Sequence, residues 1–228
     1  MAKAVIFSHC YKSYEKERES SLMWLCIILL AVLHIMAAYR GPCWLFYVSK
    51  PLTVVLMVIA CLWSGAPSFY YWAIVVGLCL SVLGDIYLML PQDRFMAGLI
   101  SFFLAHVVYT VAFASQWQGH VGWWLLALCI AIGIVVFLLL LPYLGKLQAP
   151  VALYMSVIML MAFAAGQFWL LSHSQAALLA VVGAVLFVLS DLTLAINRFK
   201  QEFTASTAII MSTYFIAQGL FVGSVLAL

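Results

Sequence analysis

Two aspartates, Asp85 and Asp191, each sit near the end of a long apolar run, in segments that repeat one another. The first reads Gly77-Leu-Cys-Leu-Ser-Val-Leu-Gly-Asp85, continuing to Leu88. The second reads Gly183-Ala-Val-Leu-Phe-Val-Leu-Ser-Asp191, continuing to Leu194. Gly77, Leu80, Val82, Leu83, Asp85 and Leu88 match Gly183, Leu186, Val188, Leu189, Asp191 and Leu194 at a single offset. A charged Asp at the centre of a membrane helix costs about 2.5–3.5 kcal/mol on insertion scales, and less near its ends. Two acids kept in such places need a reason. Desolvation and a like-charged neighbour both favour the protonated carboxyl, so one of a close pair can hold a proton at neutral pH. Such a pair supplies a general acid together with a base or electrostatic stabiliser.

Other groups can serve the same site. Lys50, just before Pro51, can bind an anionic head group, counter an Asp charge, or snorkel to the interface. Arg198 follows Asp191 by two helical turns on much the same face, as a phosphate contact would. Ser81 precedes Asp85 by one turn, within hydrogen-bonding reach. His106 falls inside an apolar run with Tyr109 one turn on, and Asp85 is a candidate partner for its ring. Tyr214 and Gln218, one turn apart near the C-terminus, can complete a polar cavity. His9, His34, His120 and His173 are scattered, and no CxxC spacing occurs among six cysteines, so neither a metal site nor a disulfide framework is indicated. There is no Gly-x-Ser-x-Gly to support a serine hydrolase.

The elements that must position these groups are membrane helices. The chain is 68% hydrophobic and 7% charged, against about 25% charged in ordinary soluble domains. Runs of roughly 20 apolar residues, each long enough to cross the hydrocarbon as a helix, recur along nearly the whole length. They do not alternate as barrel strands would. The spacing of charges, prolines and polar clusters predicts an all-α, multi-pass integral membrane protein (of the inner or plasma membrane in a bacterium). Its eight spans cover about 22–39, 44–63, 69–90, 95–115, 122–142, 150–171, 175–197 and 205–227. Residues 1–21 read as a polar arm ahead of a single transmembrane domain, 22–228. The net charge of +3 is scattered, which argues against a nucleic-acid partner; the partner is the lipid bilayer.

The duplicated segments fall on spans three and seven. Weaker echoes extend outward: Arg94-Phe95 and Arg198-Phe199, Tyr109 and Tyr214, Pro51 and Pro150. Four spans per unit would make 22–120 and 121–228 parallel repeats about an axis along the membrane normal. Equivalent faces of spans three and seven would then bring Asp85 and Asp191 into one cavity, near one membrane surface. The inter-span loops on that side hold Arg40, Arg94, Lys146, Arg198 and Lys200, and those opposite hold no Lys or Arg. This bias places the Asp side in the cytoplasm, although Lys12, Lys16 and Arg18 of the arm pull the other way.

An ordered set of motifs resembles the YhhN-like family of membrane proteins, whose characterised members are lysoplasmalogenases. The motifs are Ser49-Lys-Pro-Leu-Thr53, Gly77 to Asp85, Phe95-Met-Ala-Gly-Leu99, Ala105-His-Val-Val-Tyr109, Gly183 to Asp191, and Leu194-Ala-Ile-Asn-Arg198-Phe199. The resemblance implies an eight-helix hydrolase that cleaves the vinyl ether of a lysophospholipid to a fatty aldehyde and a glycerophospho-alcohol, without cofactor or metal. It implies acid–base catalysis by Asp85 and Asp191, His106 or Tyr109 tuning them, and Lys50 and Arg198 holding phosphate. A proton-coupled transporter or lipid-binding protein that uses the same buried acids is the alternative.

Overall fold

In a computed structural model the chain is built of helices, and no strand occurs among the described residues. The structure describes every residue except Met1, Gly65, Ala66, Pro91 and Asp93, and describes the backbone alone for 2–17 and Ser64. The helices are α1 (Ala2–Arg40), α2 (Cys43–Ser64), α3 (Phe69–Met89), α4 (Phe95–Ala114), α5 (Trp123–Leu140), α6 (Gln148–Ser172), α7 (Gln175–Ala195) and α8 (Ser206–Leu226). All eight are long and apolar enough to cross a membrane, with bounds a few residues from those the sequence predicts. The backbone of the polar arm continues α1 upstream to Ala2. Its side chains up to residue 17 lie outside the described residues.

Helices α3 and α7, which carry the aspartates, start the same way. Ser68 accepts a hydrogen bond from the N–H of Tyr71, and Ser174 accepts one from the N–H of Ala177. Each serine satisfies one of the orphan N–H groups of a helix N-terminus. The two caps are as far apart in sequence as the two aspartates. After Ala195, α7 widens into a π-turn over Ile196–Lys200, closed by the N–H of Gln201 donating to the carbonyl of Ile196 at 3.0 Å. This turn carries Arg198. Two short 3₁₀ turns, Leu141–Tyr143 and Gly145–Leu147, link α5 to α6.

Six helices close a ring of contacts in the order α2, α3, α4, α6, α7, α8 and back to α2. Exchanging the two halves maps this ring onto itself. α1 lies outside against α2 and α8, and α5 lies outside against α6. Lipid tails are as apolar as leucine, so helices in a bilayer associate through close packing and hydrogen bonds rather than a hydrophobic drive. The contacts accordingly run through small residues: Ala176, Ala177, Ala180 and Ala184 of α7 are buried, as are Ala105 and Ala112 of α4. Leucines, isoleucines and valines cover the outside. Of α5 only Cys129 and Leu140 are buried.

Gly77 shows how tight the packing is. A Cβ there would lie 2.2 Å from Cε1 of Tyr109. The ring cannot swing away, because its hydroxyl donates to Gln218 at 2.8 Å and Phe221 packs against it at 4.8 Å. We expect Gly77→Ala to destabilise the protein by about 1–3 kcal/mol, as overpacking of a filled core does. Thermal unfolding in detergent measures this; an unchanged midpoint would mean the ring has room that the packing does not show.

Candidate active site

Each of the two aspartates has its own cluster of polar partners inside the ring. The first is sealed. Asp85, near the C-terminal end of α3, is 0% exposed. Lys50 from α2 places its Nζ 2.9 Å from one carboxylate oxygen, and the hydroxyl of Tyr214 from α8 donates to the other at 2.7 Å. The ammonium also lies 5.6 Å from the centre of the Tyr214 ring. Behind these groups Tyr109 donates to Gln218, one turn beyond Tyr214. A buried charge is costly unless it is paired and hydrogen-bonded, and Asp85 is both.

The second cluster borders open space. A cavity of about 200 Å³ lies among α3, α4, α5, α6 and α7. Its walls are leucine, isoleucine, valine, methionine and phenylalanine, with three groups able to bind or move a proton or charge: Asp191, Tyr154 and Arg198. Asp191 is half-buried and accepts a hydrogen bond from the hydroxyl of Tyr154 on α6. Arg198 stands towards the membrane surface, its guanidinium 5.1 Å from the centre of the Phe95 ring, and Phe199 packs edge-on against Phe95 at 5.7 Å. π-turns are frequent at functional sites; this one supplies Arg198 and Phe199 to the cavity mouth.

One aromatic layer separates the clusters. Phe102 lines the cavity and packs edge-on against Tyr214, the partner of Asp85. His106 lies edge-on to Tyr154, the partner of Asp191, at 5.3 Å, and to Phe187 at 4.7 Å. Phe187 in turn packs on Tyr214.

Three sequence expectations are corrected here. Asp85 is not among the residues lining the cavity that holds Asp191, because Lys50 and Tyr214 enclose it. Ser81 donates to the carbonyl of Gly77 at 2.9 Å rather than to Asp85. His106 is fully buried without a hydrogen bond to either ring nitrogen, so Asp85 is not its partner. Of the three readings of Lys50, the structure shows the counter-charge to Asp85. Arg198 does share the cavity with Asp191, and Tyr214 and Gln218 do stand in a polar cluster, though a filled one.

Tyr154 is the residue the sequence reading missed. Its signal was position. Lys50 precedes Asp85 by nearly the same interval as Tyr154 precedes Asp191, each on the helix before its aspartate. Where the first half brings an ammonium to its acid, the second brings a phenol. His34 also gains a partner, with Nδ1 3.0 Å from the hydroxyl of Ser49, beside Lys50 in sequence. Among the described residues, no three His, Cys, Asp or Glu side chains converge as metal ligands would.

The chain is similar to proteins of established family. The sequence profile of the YhhN family matches residues 45–225. The uncharacterized membrane protein YhhN of Escherichia coli O157:H7 is 32% identical over 207 residues, covering 89% of this chain and 99% of that protein. The human lysoplasmalogenase TMEM86A is 36% identical over 160 residues, covering 64% of this chain and 62% of that protein. The human lysoplasmalogenase TMEM86B is 33% identical over 166 residues, covering 72% and 68%. No solved structure matches the chain. A profile match spanning seven of the eight helices, with the Asp85 and Asp191 segments inside it, settles the family: this chain belongs to the YhhN family.

Proposed function

We propose that this chain is a membrane-embedded hydrolase that cleaves the vinyl ether of a lysophospholipid, as its lysoplasmalogenase relatives are named for doing. The observation that carries the reading is the placement of a carboxyl, a phenol and a guanidinium along one otherwise apolar cavity in the membrane. That is the polarity pattern of a single-chain phospholipid.

Vinyl ether hydrolysis begins when a proton adds to the β-carbon of the C=C–O unit, leaving an oxocarbenium ion. Water adds to that ion, and the hemiacetal releases the alcohol and the aldehyde. The overall change consumes one water and needs no redox step. It needs a proton donor that becomes a stabilising anion, the logic of glycosidase carboxylates. Asp191 meets both demands. Tyr154 donates to one of its oxygens, leaving the other to carry the transferable proton. Once that proton is given, the carboxylate faces the oxocarbenium and takes a proton from the attacking water. The proton of the hemiacetal hydroxyl then goes to the departing alcohol oxygen.

Asp85 enters as an electrostatic partner. It is held by Lys50 and Tyr214 behind Phe102, and its part is to set the field around the Asp191 cavity rather than to touch the substrate. Lys50 is occupied by Asp85, so the phosphate contact rests with Arg198. Five bonds separate the phosphorus from the sn-1 ether oxygen. A phosphate at Arg198 therefore sets the vinyl ether one or two helical turns deeper, at the level of Asp191. His106, with Tyr154 on its edge, supports the orientation of that phenol.

Purified protein in detergent should release fatty aldehyde and the glycerophospho-alcohol in equal amounts from a 1-alkenyl lysophospholipid. It should release nothing from the 1-alkyl analogue, which has no double bond to protonate. Absence of aldehyde from the alkenyl substrate would sink the reading and favour a carrier.

A further inference from the structure

The space around Asp191 is too small for the whole amphiphile. At about 200 Å³ it falls below the roughly 300–1,000 Å³ of ordinary small-molecule pockets, and a long-chain lysophospholipid is larger than most such ligands. With phosphate and vinyl ether occupying its polar end, most of the hydrocarbon has to leave the cavity.

One exit is built. A second cavity of about 400 Å³ lies between α5 and α6 and shares two side chains with the first, Met155 and Met159. Those methionines form the partition. The remaining walls are apolar apart from Cys129 and Ser156, and the Ser156 hydroxyl is already committed to the carbonyl of Ala152. Methionine is unbranched, flexible and polarizable, and it moulds to varied apolar partners. The far wall is α5, whose Ile130, Ile134 and Leu138 are exposed on the membrane side. Gly133 keeps the groove open: a Cβ there would lie 3.2 Å from Cγ of Met159. A larger side chain at this position would push into the partition.

We propose that the substrate's hydrocarbon chain runs from the Asp191 cavity past Met155 and Met159 into the α5–α6 groove. The groove is also its lateral way in from the bilayer, and Gly133 sets the chain length that fits. The identity of the occupant rests on the hydrolase reading above. The groove itself rests on the shared methionines, the volume that the first cavity lacks, and the single polar end.

Two measurements test this on the full chain. First, Gly133→Leu should lower kcat/KM for a long-chain alkenyl lysophospholipid by about 10–200-fold, the range set by lost apolar pocket contacts, and leave a short-chain analogue within about twofold. An equal fall for both chains, or no fall, overturns the groove and leaves the hydrolase reading standing. Second, a lysophosphatidylcholine with a diazirine at the chain terminus is photolysed on the unsubstituted protein in lipid nanodiscs, and adducts are mapped by mass spectrometry. Adducts should concentrate on residues 126–138 and 152–160. Adducts spread over the other lipid-facing helices overturn the proposal. Concentrated adducts without any aldehyde release would keep the groove and remove the hydrolase reading, so the two failures are distinct.

Discussion

Asp191→Asn should lower aldehyde release by about 10²–10⁴-fold, the usual share of general acid–base catalysis. Asn has nearly the same shape and still accepts from Tyr154, so the cavity and its hydrogen bond persist. What disappears is the exchangeable proton and the anion left behind when it is given. The loss should therefore fall on kcat, with KM and the thermal midpoint little changed, since an interaction made only in the transition state is removed. Aldehyde release within about tenfold of the unsubstituted protein would move the chemistry away from Asp191. Asp85→Asn gives a contrasting pattern. Asp85 touches Lys50 and Tyr214 and does not line the cavity, so its replacement should alter stability along with rate.

Lys50→Met should cost about 3–5 kcal/mol of stability, because it leaves the fully buried Asp85 without its counter-charge. Met keeps the length and apolar bulk of the lysine stem, so the cost reports the charge and not a cavity. The double substitution Lys50→Met with Asp85→Asn should recover most of it: neither charge remains, and Tyr214 still finds an acceptor. Unfolding midpoints of the two single variants and the double variant, measured in one detergent, form a cycle that isolates the pair. Losses that simply add would show that the ammonium and the carboxylate do not depend on each other, against the 2.9 Å contact.

The spans were legible because the bilayer sets them. A helix must keep about 20 apolar residues in a row to cross the hydrocarbon; Arg40, Arg94, Lys146 and Arg198 mark every second boundary between such runs, and short polar clusters mark the others. Asp85 and Asp191 were legible because a carboxyl in an apolar run is rare and costly. Lys50 was legible on the same ground. Tyr154 was not, because a tyrosine inside a membrane span carries no such cost and the few polar residues of α6 do not mark out an inward face. In a soluble helix the polar face would have shown which side turns inward; here lipid and protein interior prefer the same residues. Ser81 and His106 were assigned to Asp85 by helical spacing, but which way a side chain turns depends on neighbours that spacing does not name.

From the order of residues alone, this chain is bound to be an eight-helix membrane bundle with two acids at matching places in two similar segments. Hydrocarbon thickness and the cost of buried charge act on each segment separately, so they can be read one segment at a time. Which acid faces open space is a property of the packed ring. It depends on α2 delivering an ammonium to Asp85 while α6 delivers a phenol to Asp191, and on Phe102 closing between them. Contacts between helices far apart in sequence make that choice. They turn two matching aspartates into one sealed ion pair and one carboxyl at the edge of a cavity.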